Sequence, residues 1–545
     1  MTDISSPRAK LVEMLWQLKL GYDKQGDKGV RYIHFNTLLN DPAYRKELID
    51  QAAVSSNAEI SELGLALRRI NINTALTQGR HERRVTTMNP DIAETIGFKA
   101  PSSSTTSSLR KFLLIAAVLL LGGLVGAGIF SDELKTRYSG TQVVSGSLQG
   151  DQLWTADKTW VLDGIVYLEA GGRLVIEAGT VVQGRAASAL LVTRDATIHA
   201  RGTASAPIVF TSAVAPGKRQ AGDWGGLVLL GNAPVNNADA HIEGLDAGDT
   251  RGLFGGQDVT DNCGVLEFAR IEFAGFEVYA NNELNGLTLG GCGSKTIIRN
   301  VQVHRALDDG IEIFGGNVDL RHILITGAAD DSLDWDMGWT GRVQFLQVQQ
   351  YPGVGDNAFE ADNDARNYYA EPVSEPTFYN VTLQSMQSGD KHQRAMTLRR
   401  GTGGHFHNVL IDGFSGEAID IKDRSTVERI ESGQLSFGGI LIADIGSGGR
   451  SYFAVETGDQ DDDGGFDEAV YFSAKADLGT SPQFVHRLQG ETDHDYRLAA
   501  SSPARNHSQG IPQGEFWDEA ANYRGAFRPG ANVMWTEGWT AYPIN

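Results

Sequence analysis

Three short segments of this sequence carry the same arrangement of acids: DDGIE (308–312), DDSLD (330–334) and DNAFE (356–360). Aligned, they put Asp308, Asp330 and Asp356 in one column, Asp309, Asp331 and Asn357 in a second, and Glu312, Asp334 and Glu360 in a third. On neighbouring parallel strands the members of a column would lie about 4.8 Å apart. Carboxylates that close must share protons, with raised pKa values, or hold a cation. Several hard oxygen ligands together suit Ca²⁺. Asp308, Asp330, Asp331, Asp334 and Asp356 are therefore candidate calcium ligands. Asp309, Asp331, Asp334 and Glu360 are the alternative candidates for acid and base in glycosidic cleavage, where the separation of the pair sets retention or inversion. The competing structural role is turn capping, in which the same acids accept backbone N–H groups at coil corners.

A second acidic stretch, GDQDDDGGFDEA (458–469), sets Asp459, Asp461, Asp463, Gly464 and Asp467 at spacings that resemble a calcium loop. Val470 stands where an EF-hand requires its bidentate Glu. An EF-hand is thus not expected, and the choice lies between another type of calcium loop and an exposed acidic insertion. His405 and His407 flank Phe406 with no third ligand apparent, which reads as a surface ladder. Bases that could neutralise a uronate are sparse: Arg399, Arg400, Lys422 and Arg424. Trp335, Trp339, Tyr368 and Tyr369 are candidates for a sugar-stacking platform or for core aromatics.

The elements that must position these residues recur. GLTLGG, GIEIFGG, SLDWDMG, AFEADND, AMTLRRG and AIDIKDR begin at 286, 310, 332, 358, 395 and 418. Their second residues, Leu287, Ile311, Leu333, Phe359, Met396 and Ile419, are 24, 22, 26, 37 and 23 positions apart. A further strand follows in each unit, as in IIRNVQV (297–303), LRHILIT (320–326) and VQFLQVQ (343–349). Short alternating strands at this period are what one coil of a parallel β-helix requires. A propeller blade needs about 40–50 residues, and sandwich strands do not recur at one fixed period. Asn300, Asn380 and Asn408 share one position of the repeat and read as an asparagine stack. Glycine, 65 of 545 residues, with only 15 prolines, fits many tight turns.

The segments LWTADKTWVLDGIVYLEAGGRLVIEAGTVVQGR (153–185) and GDWGGLVLLGNAPVN (222–236) resemble the first coils of right-handed parallel β-helix proteins of the pectin-lyase-like type. GVLEFARIEFAG, ELNGLTLGGCGSKTIIRNVQVHRALDDGIEIFGG and the final MWTEGWTAY are similar to a group of bacterial exported β-helix proteins. The resemblance covers about residues 140–545 and implies a fold, while leaving the activity open, because β-helices serve lyases, hydrolases, adhesins and tailspikes alike. In that fold ARIEFAG (269–275) matches RNVQVHR (299–305), an offset that brings Cys263 beside Cys292 and within reach of a disulfide.

Ahead of the repeats, Phe112 to Phe130 is an uncharged apolar run flanked by Arg110 and Lys111 on one side and by Asp132 and Glu133 on the other. It reads as a transmembrane helix. Residues 1–111 carry 16 Lys/Arg against 12 Asp/Glu, whereas residues 112–545 carry 31 against 56. The basic flank places the N-terminus in the cytoplasm and the cysteines in an oxidising space. The acidic remainder repels nucleic acid. Asp41-Pro42 and Asn57 start helices, with Tyr44, Leu48, Ile49, Ile60, Leu63, Leu65, Leu67 and Ile70 as apolar positions, and Leu11 to Leu20 forms an earlier amphipathic run.

The expected protein is thus all-β in its larger part. It has a cytoplasmic helical domain (1–98) able to dock a protein, a Ser/Thr-rich linker (99–111), one transmembrane helix (112–130) in the bacterial inner membrane and an exported right-handed β-helix (131–545) in the periplasm or outside. Its expected role is a calcium-stabilised envelope scaffold binding a polysaccharide or an envelope protein, with a polysaccharide lyase or glycoside hydrolase as the alternative. Protease added to spheroplasts should remove residues 140–545 and spare the first hundred; digestion of the N-terminal segment instead would reverse the orientation.

Overall fold

Alternating apolar residues need a partner strand on each side, and in this chain every repeat supplies one to the next. The computed structural model describes residue 18 and residues 42–55, 57–68, 140–246, 248–279, 282–386, 392–446, 452–454 and 462–545. The chain divides into two units, 1–137 and 138–545.

In the larger unit the short strands Leu227–Leu230, Leu287–Gly290, Ile311–Phe314, Leu333–Asp336, Asn357–Ala361, Arg394–Leu398 and Ile419–Ile421 pair in that order, all parallel. The expected column holds residue by residue: Leu287, Ile311, Leu333, Phe359, Met396 and Ile419 are register partners in sequence, and all are buried. The result is a parallel β-helix whose interior is a continuous apolar column.

A second set of strands, Gly264–Glu272, Ile297–His304, Asp319–Thr326, Arg342–Gln349, Thr377–Gln384, Gly404–Asp412 and Leu435–Ala443, stacks alongside. Each bends at one residue of positive φ: Phe268, Asn300, His322, Phe345, Asn380, Asn408 and Gly439, with φ between 48° and 66°. Asn and Gly tolerate this left-handed conformation best. The bends sit one above the other, which explains why the three asparagines share a repeat position. They do not form a simple amide stack. Asn380 donates to the carbonyls of Ala521 and Tyr523, and Asn408 bonds both the N–H and the C=O of Gln509.

Bend-on-bend stacking also corrects the strand register. Ala269 pairs with Val301, not with Arg299, because Phe268 must lie over Asn300. The cysteines meet nonetheless, in the turns ahead of these strands: Cys263 and Cys292 form a disulfide with Cα atoms 5.7 Å apart. The aromatic candidates divide. Trp335 and Trp339 are fully buried and pack on Phe359 and Phe378 inside the coils, so they offer no sugar platform, while Tyr368 and Tyr369 are exposed. Beyond the last coil, residues 484–545 return over the outer face of the bent strands.

The smaller unit contains α1 (Pro42–Ala52) and α2 (Ala58–Arg68). Asn57 caps α2 by accepting the Ile60 N–H at 3.1 Å. Leu48, Ile49, Ile60 and Leu67 are buried, whereas Leu65 is exposed and does not belong to the apolar face. The residues 112–130 lie outside the described ones, and no helix among those is long and apolar enough to cross a membrane.

The stacked bends generate a test. Asn300→Val puts a β-branched residue into the left-handed region and should cost about 1–3 kcal/mol in urea unfolding, while Asn300→Gly should cost less. Equal stability of the two variants would mean that the bend is not conformationally selective.

Candidate functional site

Strand alternation turns Ile311, Leu333 and Phe359 inward and, one residue later, Glu312, Asp334 and Glu360 outward. These three acids are register partners on successive coils, as their spacing implies, and Thr397 and Asp420 continue the row. Asp309 and Asp331 occupy the turn that enters each strand. There they cap: Asp309 Oδ1 accepts the Asp331 N–H at 2.9 Å, and Asp331 Oδ1 accepts the Asn357 N–H at 2.6 Å. Asn357 Oδ1 continues the ladder by accepting the Thr397 hydroxyl at 2.7 Å.

Capping does not exhaust the cluster. Oxygen atoms of Asp331, Asp334 and Glu360 lie within 4.8 Å of one another, as do those of Asp309, Glu312 and Asp334, of Asp308, Asp309 and Asp330, and of Asp330, Asp331 and Asp356. Asp334 Oδ1 is buried without a hydrogen-bond partner in the protein. Burial, reinforced by the neighbouring charges, holds Asp309, Glu312, Asp331 and Asp334 well above the usual carboxylate range. Glu360 and Asp336 are each pushed up to about 7, burial being the largest cause.

The structure adds members that the aligned segments omit. Asp336 and Asp362 lie two residues beyond Asp334 and Glu360 and therefore on the same outward face, a period-two signal legible in LDWD and FEAD. Glu243 arrives from a distant loop with no such signal. Burial raises the pKa of its carboxyl, and the Glu243 charge adds to burial in raising that of Glu312. Asn285, one coil earlier, donates to Glu312.

Cations close one end of the array. Arg399 bonds Glu360 and, at 2.8 Å, Asp362, and Arg400 bonds Asp362 at 2.5 Å. Lys422 pairs with Asp420 at 3.3 Å and Arg424 with Glu431 at 2.7 Å. Every base singled out as a uronate partner is thus engaged by a carboxylate of this chain.

The remaining candidates lie elsewhere. Asp459 and Asp461 fall outside the described residues. Asp463 accepts the N–H groups of Gly465 and Phe466 at 2.8 and 3.0 Å, and Asp467 caps the helix Glu468–Ser473 through the Val470 N–H at 2.9 Å. His405 is held between Glu375 and Ser436, and its ring lies parallel to that of His407 with centroids 6.5 Å apart.

Residues 146–468 match the family model of the pectate-lyase-like β-helix domain. No curated protein and no solved structure matches the chain.

Asp336 supplies a pH test. Its pKa is about 7 when folded and near the ordinary carboxylate value when unfolded, so the folded state binds the extra proton. The stability this contributes is complete below the unfolded pKa, about 4, and is lost as pH rises through about 7. In divalent-free buffer, Asp336→Asn should therefore gain about 2 kcal/mol relative to the parent protein between pH 5 and pH 8 in urea unfolding. A difference that does not change with pH would show that the carboxyl is not protonated in the fold.

Proposed function

The chain belongs to the pectate-lyase-like β-helix family, and from that premise we propose that it is an envelope binding or scaffold protein whose coils are tied together by Ca²⁺ on the acidic face. One observation carries the reading: Asp331, Asp334 and Glu360 converge from adjacent coils while a buried Asp334 oxygen has no partner. A hard divalent cation satisfies such a donor set and relieves the mutual repulsion of the carboxylates. These three residues would hold it, and its contribution is charge neutralisation between coils rather than reaction chemistry. Asp309, Asp331 and Glu312 are too deeply buried to meet a polymer, and the bases around the array are already paired, so a neutral polysaccharide or a protein suits the surface better than a uronan.

The 112–130 segment serves in this reading as the single membrane anchor, with residues 1–98 in the cytoplasm and the β-helix in the periplasm or outside. A second reading, a polysaccharide lyase or glycoside hydrolase, draws on one feature. Asp334, Asp336 and Glu360 are only partly covered; Asp336 and Glu360 are pushed up to about 7 and Asp334 stands well above the usual carboxylate range, the direction a general acid needs.

Calcium dependence separates these readings. Binding to the folded state alone stabilises it by about 2.7 kcal/mol at a hundredfold excess over Kd. The melting temperature of the exported unit should rise with millimolar Ca²⁺ and fall with a chelator, and Asp334→Asn should blunt the response. A chelator-insensitive melt returns the acids to turn capping. Release of reducing or unsaturated sugar that Asp334→Asn abolishes would establish the enzyme reading instead.

A further inference from the structure

A coil of this stack needs only a short turn between its short strand and its bent strand: four residues at 315–318 and five at 337–341 and at 399–403. Two turns on that side are longer. The one after Asn357–Ala361 takes fifteen residues, 362–376, and the one after Ile419–Ile421 takes thirteen, 422–434, and holds the helix Arg424–Ser432. Closing the coil does not call for such length, and long ordered loops on a rigid scaffold are where binding groups are commonly carried. The two meet over the turn between them. Gly401, with a φ of +77°, permits this: a Cβ there would stand 2.0 Å from the Tyr368 carbonyl oxygen and 3.3 Å from Ser425 Oγ.

The loop 362–376 is held from the inside. Asn363, fully buried, accepts the Ser374 N–H at 2.8 Å and donates to the carbonyls of Tyr368 and Ala370 at 3.1 and 3.0 Å. Asp364, also buried, accepts the N–H groups of Arg366 and Asn367 at 2.9 and 2.7 Å. The loop presents outward a pair of tyrosines: Tyr369 is 56% and Tyr368 38% exposed. The Tyr369 ring is fixed, since its hydroxyl donates to Glu428 at 3.0 Å and the Arg429 guanidinium lies 5.9 Å from its centre. A ring already held in one pose loses little freedom when a ligand packs on it.

The charged groups that act on Tyr369 are Glu428, Arg429 and Asp423, and each is engaged within the chain. Glu428 also lies 3.6 Å from Arg424, Arg429 donates to the Gly401 carbonyl at 3.0 Å and to the Gln434 side chain at 2.9 Å, and Asp423 accepts the Thr426 N–H at 3.1 Å. An anionic sugar would have to break one of these contacts to be neutralised. An uncharged ligand with an apolar face would not.

We propose that Tyr368 and Tyr369 form a stacking subsite for a neutral, β-linked hexopyranose polysaccharide. The inference rests on the polysaccharide reading above and commits it to one class. In a gluco-configured β-linked chain the ring substituents are equatorial, so each sugar offers a flat face of axial C–H groups to an aromatic ring and its hydroxyls to the rim. The subsite borders the acidic face, because Arg399 and Arg400, in the turn the two loops meet over, bond Glu360 and Asp362. Calcium on Asp331, Asp334 and Glu360 takes no part in the stacking.

Calorimetric titration of the full-length protein with cellohexaose, and with hexagalacturonate as the charged comparison, provides the test. Cellohexaose should bind and hexagalacturonate should bind more weakly. Tyr369→Ala should weaken cellohexaose binding about tenfold, while Tyr369→Phe, which keeps the ring, should stay within about threefold of the parent. Both variants should keep the parent melting temperature and its response to Ca²⁺; if Tyr369→Ala does not fold, Tyr368→Ala takes its place with the same expectation. A parent protein that binds cellohexaose without any calcium response loses the calcium reading and keeps the subsite. A calcium response without cellohexaose binding overturns the subsite alone, and so does cellohexaose binding that neither tyrosine substitution weakens.

Discussion

The peptide N–H and C=O groups of each coil find partners only on the coils beside it. A strand edge left open in the interior of the stack would expose a row of unsatisfied groups, so coils must lie parallel and in register. Register then places like positions over like, and the other features of the molecule follow. Phe378, Phe406 and Phe437 stack in the interior at centroid spacings of 5.1 and 5.3 Å. The left-handed bends superpose, and the two cysteines are carried into bonding distance.

The same constraint creates the electrostatic strain of the acidic face. An outward acid repeated on successive coils meets itself at one strand spacing, and burial removes the water that would screen it. Asp309 and Asp331 escape in part by capping the next turn. Glu312 accepts a hydrogen bond from Asn285, and Glu360 leans on Arg399. Asp334 keeps one buried oxygen without a hydrogen-bond partner, which is why the cation hypothesis centres on it.

On the bent face several outward residues are amides whose side chains are engaged by the C-terminal segment. Gln302, Gln344 and Asn408 each bond both the N–H and the C=O of one residue in the C-terminal segment, at Ala541, Asp518 and Gln509. An amide side chain presents donor and acceptor side by side, so it can hold a peptide that runs outside the sheet. The chain end thus completes the surface of coils laid down far earlier in the sequence.

Periodicity in the sequence was enough to determine the parallel coils, the inward column from Leu287 to Ile419 and the three stacked carboxylate rows, because a repeat that must pair with itself leaves its register in the spacing. It also paired Cys263 with Cys292, although it misaligned the flanking strands by two residues, since local similarity does not reveal which residue takes the left-handed bend. Trp335 shows the limit of composition: an aromatic next to acids looks like a sugar platform, and only strand direction decides that it points inward. Tertiary structure alone decided the burial of Asp309 and Glu312, the arrival of Glu243 and the docking of the last thirteen residues. Those depend on contacts between segments up to several hundred residues apart, where no local pattern constrains which chain meets which.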